Sequence, residues 1–199
     1  MNEIDFYSDD SLYKFVWPDN SYNDMLYRPE WLMEIQWEHI VDVVNKILNL
    51  DNQLIKSEVL GPLNELWNEF YQKFWINMYI QSAFRDFLKQ SDIYINMNPN
   101  MVHYISFPWH SEHQTWYALD VINAQIDRNC YNPHFKWLKD NAYKYWFHLS
   151  YQKWISVDWY NKEDWHIRYL WKELSTYLFK NNLSYTEFFE KEKKISFTN

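Results

Sequence analysis

The stretch PLNELWNEFYQKFWINMYIQSAFRDF, residues 62–87, decides how the fold is read. Leu63, Leu66, Trp67, Phe70, Tyr71, Phe74, Trp75 and Met78 recur at helical spacing, and Ala83 and Phe87 prolong the series. Residues three and four apart share one helix face, so the pattern predicts one long helix starting at Pro62, with a ring at nearly every inward position. Gly61-Pro62, which contains the only glycine, supplies the start signal.

Working outward, Pro29 opens a second apolar series through Leu32, Ile35, Ile40, Val43 and Ile47, read as a helix to about residue 50. Downstream, Ile93–Asn96 and Val102–Phe107 are β-branched and aromatic runs around Met-Asn-Pro-Asn, which predicts a hairpin. Further helices are expected at about 111–128, 133–154 and 162–180, with Pro133 and Asn161 as entry signals and Asn181-Asn182 as a stop. A tail helix is capped by Ser184 with Glu187. The expected fold is therefore mainly α: an irregular bundle of about five to six helices with one small β-hairpin (about 92–107) and an extended N-terminal arm. Residues 1–28 form the acidic and aromatic arm, and residues 29–199 a single helical domain.

Composition narrows the function. A net charge of −8 argues against direct contact with nucleic acid, whose binding rests on clustered Lys and Arg. No apolar run approaches the roughly 20 residues of a membrane span, the first residues lack a secretory pattern, and Cys130 is the single cysteine. An intracellular soluble setting follows, in a host cytoplasm, a virion or an organelle matrix. One glycine and four alanines beside 20 asparagines indicate an AT-rich coding genome. The 13 tryptophans fit this poorly with UGG as their codon and better where UGA also encodes tryptophan, so an organelle origin stands beside the more general one of an AT-rich virus or bacterium.

The only pattern suggesting chemistry is FPWHSEHQTW, residues 107–116. His110 and His113 could hold a metal with His103, Glu112 or the distant pair Glu163 and His166. Glu163-x-x-His166 is half of a di-iron helix motif whose other half is missing. The competing reading explains every polar residue: Ser111 caps a helix, Gln114 completes a capping box, and the histidines face water. Cys130 near His134 has nothing to orient it, and one glycine cannot supply a nucleophile elbow or a phosphate loop. No catalytic residue, cofactor or bound metal is assigned; the weak metal candidates are His103, His110, His113 and His166.

At 22% aromatic, the chain carries more rings than a small helical core is expected to bury. Surplus Trp and Tyr favour contact with other protein chains, a homo-oligomer among them, through Phe6, Tyr7, Tyr13, Phe15, Trp17, Tyr22, Tyr94 and Tyr104. The favoured function is a non-catalytic structural subunit of a larger assembly, such as a virion or a lineage-specific organelle complex. An acidic inhibitor masking a partner's basic site comes second, and a metal-dependent enzyme third.

Overall fold

The computed structural model describes residues 4–24, 27–35, 40–42, 53–123 and 133–196. Its framework is a five-stranded sheet in the order β2-β4-β5-β7-β6, built from β2 (Ile40–Asp42), β4 (Met78–Ser82), β5 (Ala118–Asn123), β6 (Phe147–His148) and β7 (His166–Tyr169). The β2–β4 pair is parallel and the other pairs are antiparallel. A two-stranded antiparallel sheet joins β1 (Leu32–Glu34) to β3 (Leu54–Lys56). The helices are α1 (Ser57–Phe74), α2 (Phe87–Ile95), α3 (Pro133–Asn141), α4 (Ile155–Asp158), α5 (Trp171–Asn181) and α6 (Tyr185–Ser196). This α/β architecture replaces the expected mainly-α bundle.

The stretch at residues 62–87 shows why. Val59, Leu63, Leu66, Trp67 and Phe70 do form the buried face of α1, which starts five residues before Pro62 and runs through it. The helix stops at Phe74, because Trp75 turns left-handed at φ 58° and closes it with an N–H donated to Tyr71 O. Trp75, expected in the core, is exposed. The next element is the strand β4, with Met78 and Ile80 buried at a spacing of two. Met78 and Ala83 fit either period, so the helical series absorbed them.

The other corrections have a common cause. β5 and β7 are central strands, and Ala118–Val121 and His166–Tyr169 are buried without alternation. A strand covered on both faces loses its period-2 signature and resembles a helical segment. The helix expected at 111–128 is thus a 3₁₀ turn (Glu112–Thr115) followed by β5, with residues 124–128 outside the described set. The helix expected at 133–154 is α3, a 3₁₀ turn (Ala142–Tyr145) and β6. That at 162–180 is β7 and α5. The described part of the 29–50 segment holds β1 and β2. No hairpin occupies 92–107: Ile93, Tyr94 and Ile95 form the last turn of α2, and Pro99–Met101 forms a 3₁₀ turn. Asn182 stops α5 in a left-handed conformation. The capping box is present before α6, where Ser184 N–H donates to Glu187 Oε2 and Glu187 N–H to Ser184 Oγ.

Two cores hold these parts. The first gathers apolar residues of α1, α3 and the sheet, with Leu66, Phe70, Leu138, Leu119 and Ile167 fully buried. Phe6 and Phe15 of the arm join Leu174 and Leu178 of α5 and Tyr185, Phe188 and Phe189 of α6 in the second. Phe15 stacks on Phe189 with centroids 3.9 Å apart. The arm is irregular but anchored: Arg168 Nη2 donates to Leu12 O and Lys14 O, and Tyr22 Oη to Gln114 O. Among the described residues, no helix is long and apolar enough to cross a membrane.

Candidate metal centre

The register of the sheet builds the site. Asp120 on β5 stands directly opposite His166 on β7, and His166 Nδ1 lies 2.9 Å from Asp120 Oδ1. The 3₁₀ turn before β5 brings His113 Nε2 to 3.2 Å from Asp120 Oδ2. Ser111 caps that turn through His113 N–H. One ligand atom from each of His113, Asp120 and His166 lies within 4.8 Å of the others, and all three residues are buried.

Each donor is oriented by a neighbour. His113 Nδ1 faces Ala83 O at 2.8 Å, so that nitrogen carries the proton and Nε2 keeps its lone pair. His166 Nε2 faces Glu112 Oε2 at 2.9 Å, so a metal would take Nδ1, in place of the proton which that nitrogen shares with Asp120. Glu112 is fixed in turn by Arg168 Nη1 at 3.1 Å and by Ser150 Oγ at 2.7 Å. Arg85 donates to Asp120 Oδ2 at 2.9 Å.

Electrostatics sort these groups. Burial raises the Glu112 carboxyl, but Arg168 and His166 outweigh it and hold it at about 2. Burial and the Arg85 guanidinium push His113 down to about 4. Burial also disfavours a charged His166, yet its bonds to Asp120 and Glu112 prevail and raise it to about 10. The two histidines diverge because His166 faces two carboxylates and His113 faces one, with Arg85 nearby. Burial lifts Glu163 to about 8. A cavity of about 650 Å³ opens onto the centre, lined by His113, Asp120, His166, Glu163, Arg85 and Tyr151 among others.

Two imidazoles and a carboxylate with an open side match the donor set of a catalytic zinc site. The carboxylates of Asp120 and Glu112, which converge on the two ring nitrogens of His166, make the spot favourable for a cation. The residues fit a divalent metal.

A family model described as VanY, D-alanyl-D-alanine carboxypeptidase, matches residues 52–172, more than half of the chain. The chain belongs to the VanY family. The match spans β3 to the start of α5 and contains the whole centre. This VanY-family chain is 39% identical over 98 residues to the putative carboxypeptidase YodJ of Bacillus subtilis, covering 46% of this chain and 36% of that protein. It is 29% identical over 160 residues to a D-alanyl-D-alanine carboxypeptidase of Enterococcus faecium, covering 78% of this chain and 52% of that protein. The chain therefore spans about half or less of the length of these relatives. Its fold is similar to that of the LdcB LD-carboxypeptidase, at a TM-score of 0.77 and 23% identity, covering 92% of this chain and 87% of that one. It is also similar to a zinc-bound vancomycin-resistance D,D-pentapeptidase VanY, at 0.69 and 19%, covering 88% and 97%.

Membership in an enzyme family overturns the expected non-catalytic subunit and, with it, the viral and all-α assignments. A virion or host-cytoplasm setting has no support. Of the three functions weighed from sequence, the family supports the one placed last, an enzyme.

Of the four candidate histidines, the structure brings His113 and His166 together and sends the others elsewhere. His103 Nδ1 meets Trp159 O, and His110 Nδ1 meets Trp17 O. Asp120 was missed. Its signal was the HSEHQTWYALD string, which places a carboxylate seven residues after His113, just inside the strand that follows the tight turn. Glu163-x-x-His166 was noticed but read on a helix, whereas His166 opens a strand. Of the rings expected to meet a partner, Phe6, Phe15 and Tyr22 are buried in the protein itself. Tyr13 and Trp17 are half-buried against the second core, Tyr94 packs on Phe107, and Tyr7 and Tyr104 stay exposed. Cys130 lies outside the described residues.

Proposed function

We propose that this chain is a zinc-dependent carboxypeptidase that removes the terminal D-alanine from peptidoglycan peptides ending in D-alanyl-D-alanine. The observation that carries this reading is the convergence of His113, Asp120 and His166 beside a buried Glu163 in one open cavity. His113 Nε2, Asp120 and His166 Nδ1 would hold the metal, which when bound polarises the scissile carbonyl and acidifies a water.

The chain's own residues perform the rest. Glu163 sits in the same cavity, where burial raises the basicity of its carboxylate; in the ionised form, which a bound cation would favour, it accepts a proton from the attacking water. It then delivers that proton to the nitrogen of the departing D-alanine. A carboxypeptidase must also recognise a free α-carboxylate, and the Arg85 guanidinium on the cavity wall supplies a planar, permanently charged donor. Tyr151 and Tyr160, both buried, wall the cavity and keep the electrostatics strong.

The test is release of D-alanine from a peptide ending in D-alanyl-D-alanine, followed beside the same peptide with an amidated C-terminus. Cleavage of the free acid alone, abolished by Glu163→Gln in a protein that still binds zinc, supports the reading. Equal cleavage of both peptides, or full activity in Glu163→Gln, would overturn it.

A further inference from the structure

Eight non-glycine residues among those described have positive φ, and seven are tryptophans: Trp31, Trp75, Trp109, Trp116, Trp146, Trp159 and Trp171, between 58° and 72°. The eighth is Asn182, a residue type that tolerates this region. In the left-handed region a Cβ crowds the next carbonyl oxygen, so glycine is the default there and a bulky side chain an outlier. The only glycine, Gly61, lies inside α1 without positive φ, where other residues would serve as well.

The locations are those at which chains turn on glycine. Trp75 and Trp159 are the left-handed C-caps of α1 and α4, and Trp116 and Trp146 end the 3₁₀ turns Glu112–Thr115 and Ala142–Tyr145. Three of the seven indoles, those of Trp31, Trp75 and Trp116, are also poorly accommodated. Trp31 and Trp75 are 77% and 76% exposed. Buried Trp116 lies on Phe84 with centroids 3.0 Å apart, well short of the roughly 4.5–7 Å of ordinary aromatic pairs. Trp67 and Trp137 behave otherwise: both are helix-interior residues packed in the first core.

We propose that the working protein carries glycine at these seven positions, inserted at a codon that its own cells decode as glycine, while Trp67 and Trp137 are true tryptophans. Composition points to the codon. A surplus of tryptophan, a near absence of glycine and AT-rich usage fit UGA at the seven positions, one base from the glycine codon GGA, with UGG kept for tryptophan. This reverses the expectation that UGA encodes tryptophan here. It also bears on the site, since Trp109 and Trp116 line a second cavity of about 290 Å³ on which Arg85 also borders. Glycine at both positions would widen the space beside that guanidinium.

The proposal is independent of the catalytic reading, because its readouts are peptide mass and melting temperature. Peptide mass spectrometry on the protein from the cells that naturally make it should find glycine at positions 75, 116 and 171 and tryptophan at 67 and 137. Recombinant Trp75→Gly and Trp116→Gly should each raise the melting temperature, whereas Trp67→Gly should lower it strongly. Tryptophan in the natural peptides at 75, 116 and 171 would overturn the proposal. So would a fall in melting temperature in both glycine variants.

Discussion

Glu112 and His166 meet at 2.9 Å in the buried floor of the centre, where the carboxylate bonds the ring nitrogen turned away from Asp120. That contact sets which nitrogen of His166 can serve a metal, and Arg168 on the far side of Glu112 holds the carboxylate in place.

Glu112→Gln keeps the shape of the side chain but weakens its hold on the ring. Replacing a carboxylate behind a metal-binding histidine typically costs about 10- to 100-fold in metal affinity. A competitive titration of zinc against a chromophoric chelator should show that loss. Unchanged affinity would remove Glu112 from the account.

Glu163→Gln removes the proton acceptor and leaves the three proposed ligands intact. Turnover should fall by about 10²- to 10⁴-fold with zinc stoichiometry unchanged, as expected for loss of a general base. Single-turnover kinetics and metal analysis on one preparation provide the check.

Arg85→Lys keeps a positive charge but loses the planar fork. If Arg85 receives the substrate carboxylate, kcat/KM on free-acid peptides should drop by about 10- to 100-fold, the equivalent of one charge-assisted hydrogen bond. Most of the change should appear in KM. A loss confined to kcat would place Arg85 in a different role.

The arm should contribute to stability with a defined pH dependence. Asp9 accepts N–H groups of Asn23 and Asp24 and pairs with Lys14 Nζ at 2.9 Å. Burial opposes its ionisation, but those bonds prevail and hold it below the ordinary value of 3.8. A depressed acid stabilises the fold above its unfolded pKa and loses that contribution as pH falls through the folded value. The melting temperatures of the protein and of Asp9→Asn should differ at neutral pH and converge in acid below about pH 4. Phe15→Ala should cost about 3–5 kcal/mol at neutral pH, because its ring stacks inside the second core. If Phe15→Ala melts with the parent protein, the arm is not part of the folded core.

The legible parts of this chain were those governed by local chemistry. The face of α1 from Leu63 to Phe70, the entry at Pro133, the stop at Asn182 and the box at Ser184 and Glu187 follow from residues a few positions apart. The sheet was not legible, because strands buried on both faces, such as His166–Tyr169, carry no alternation. The helix ends were hidden as well. Left-handed stops normally marked by glycine fall on Trp75, Trp116 and Trp146, which read instead as members of an apolar stripe. His113 and His166 were both noticed, and Asp120 lies seven residues after His113, but it is the β5–β7 register that brings His166 to Asp120, a long-range pairing that local spacing does not show. The rings thought too many to bury are placed partly by the arm, which brings Phe6 and Phe15 into a core of their own.

The most direct test of the central claim is D-alanine release by the protein as its own cells produce it, measured on a peptide ending in D-alanyl-D-alanine before and after chelation and again after zinc is restored. The account predicts release, loss on chelation, recovery with about one equivalent of zinc, and no recovery when Asp120 or His166 is replaced by alanine. Release that persists undiminished in the chelated protein, or in the His166→Ala variant, would contradict it.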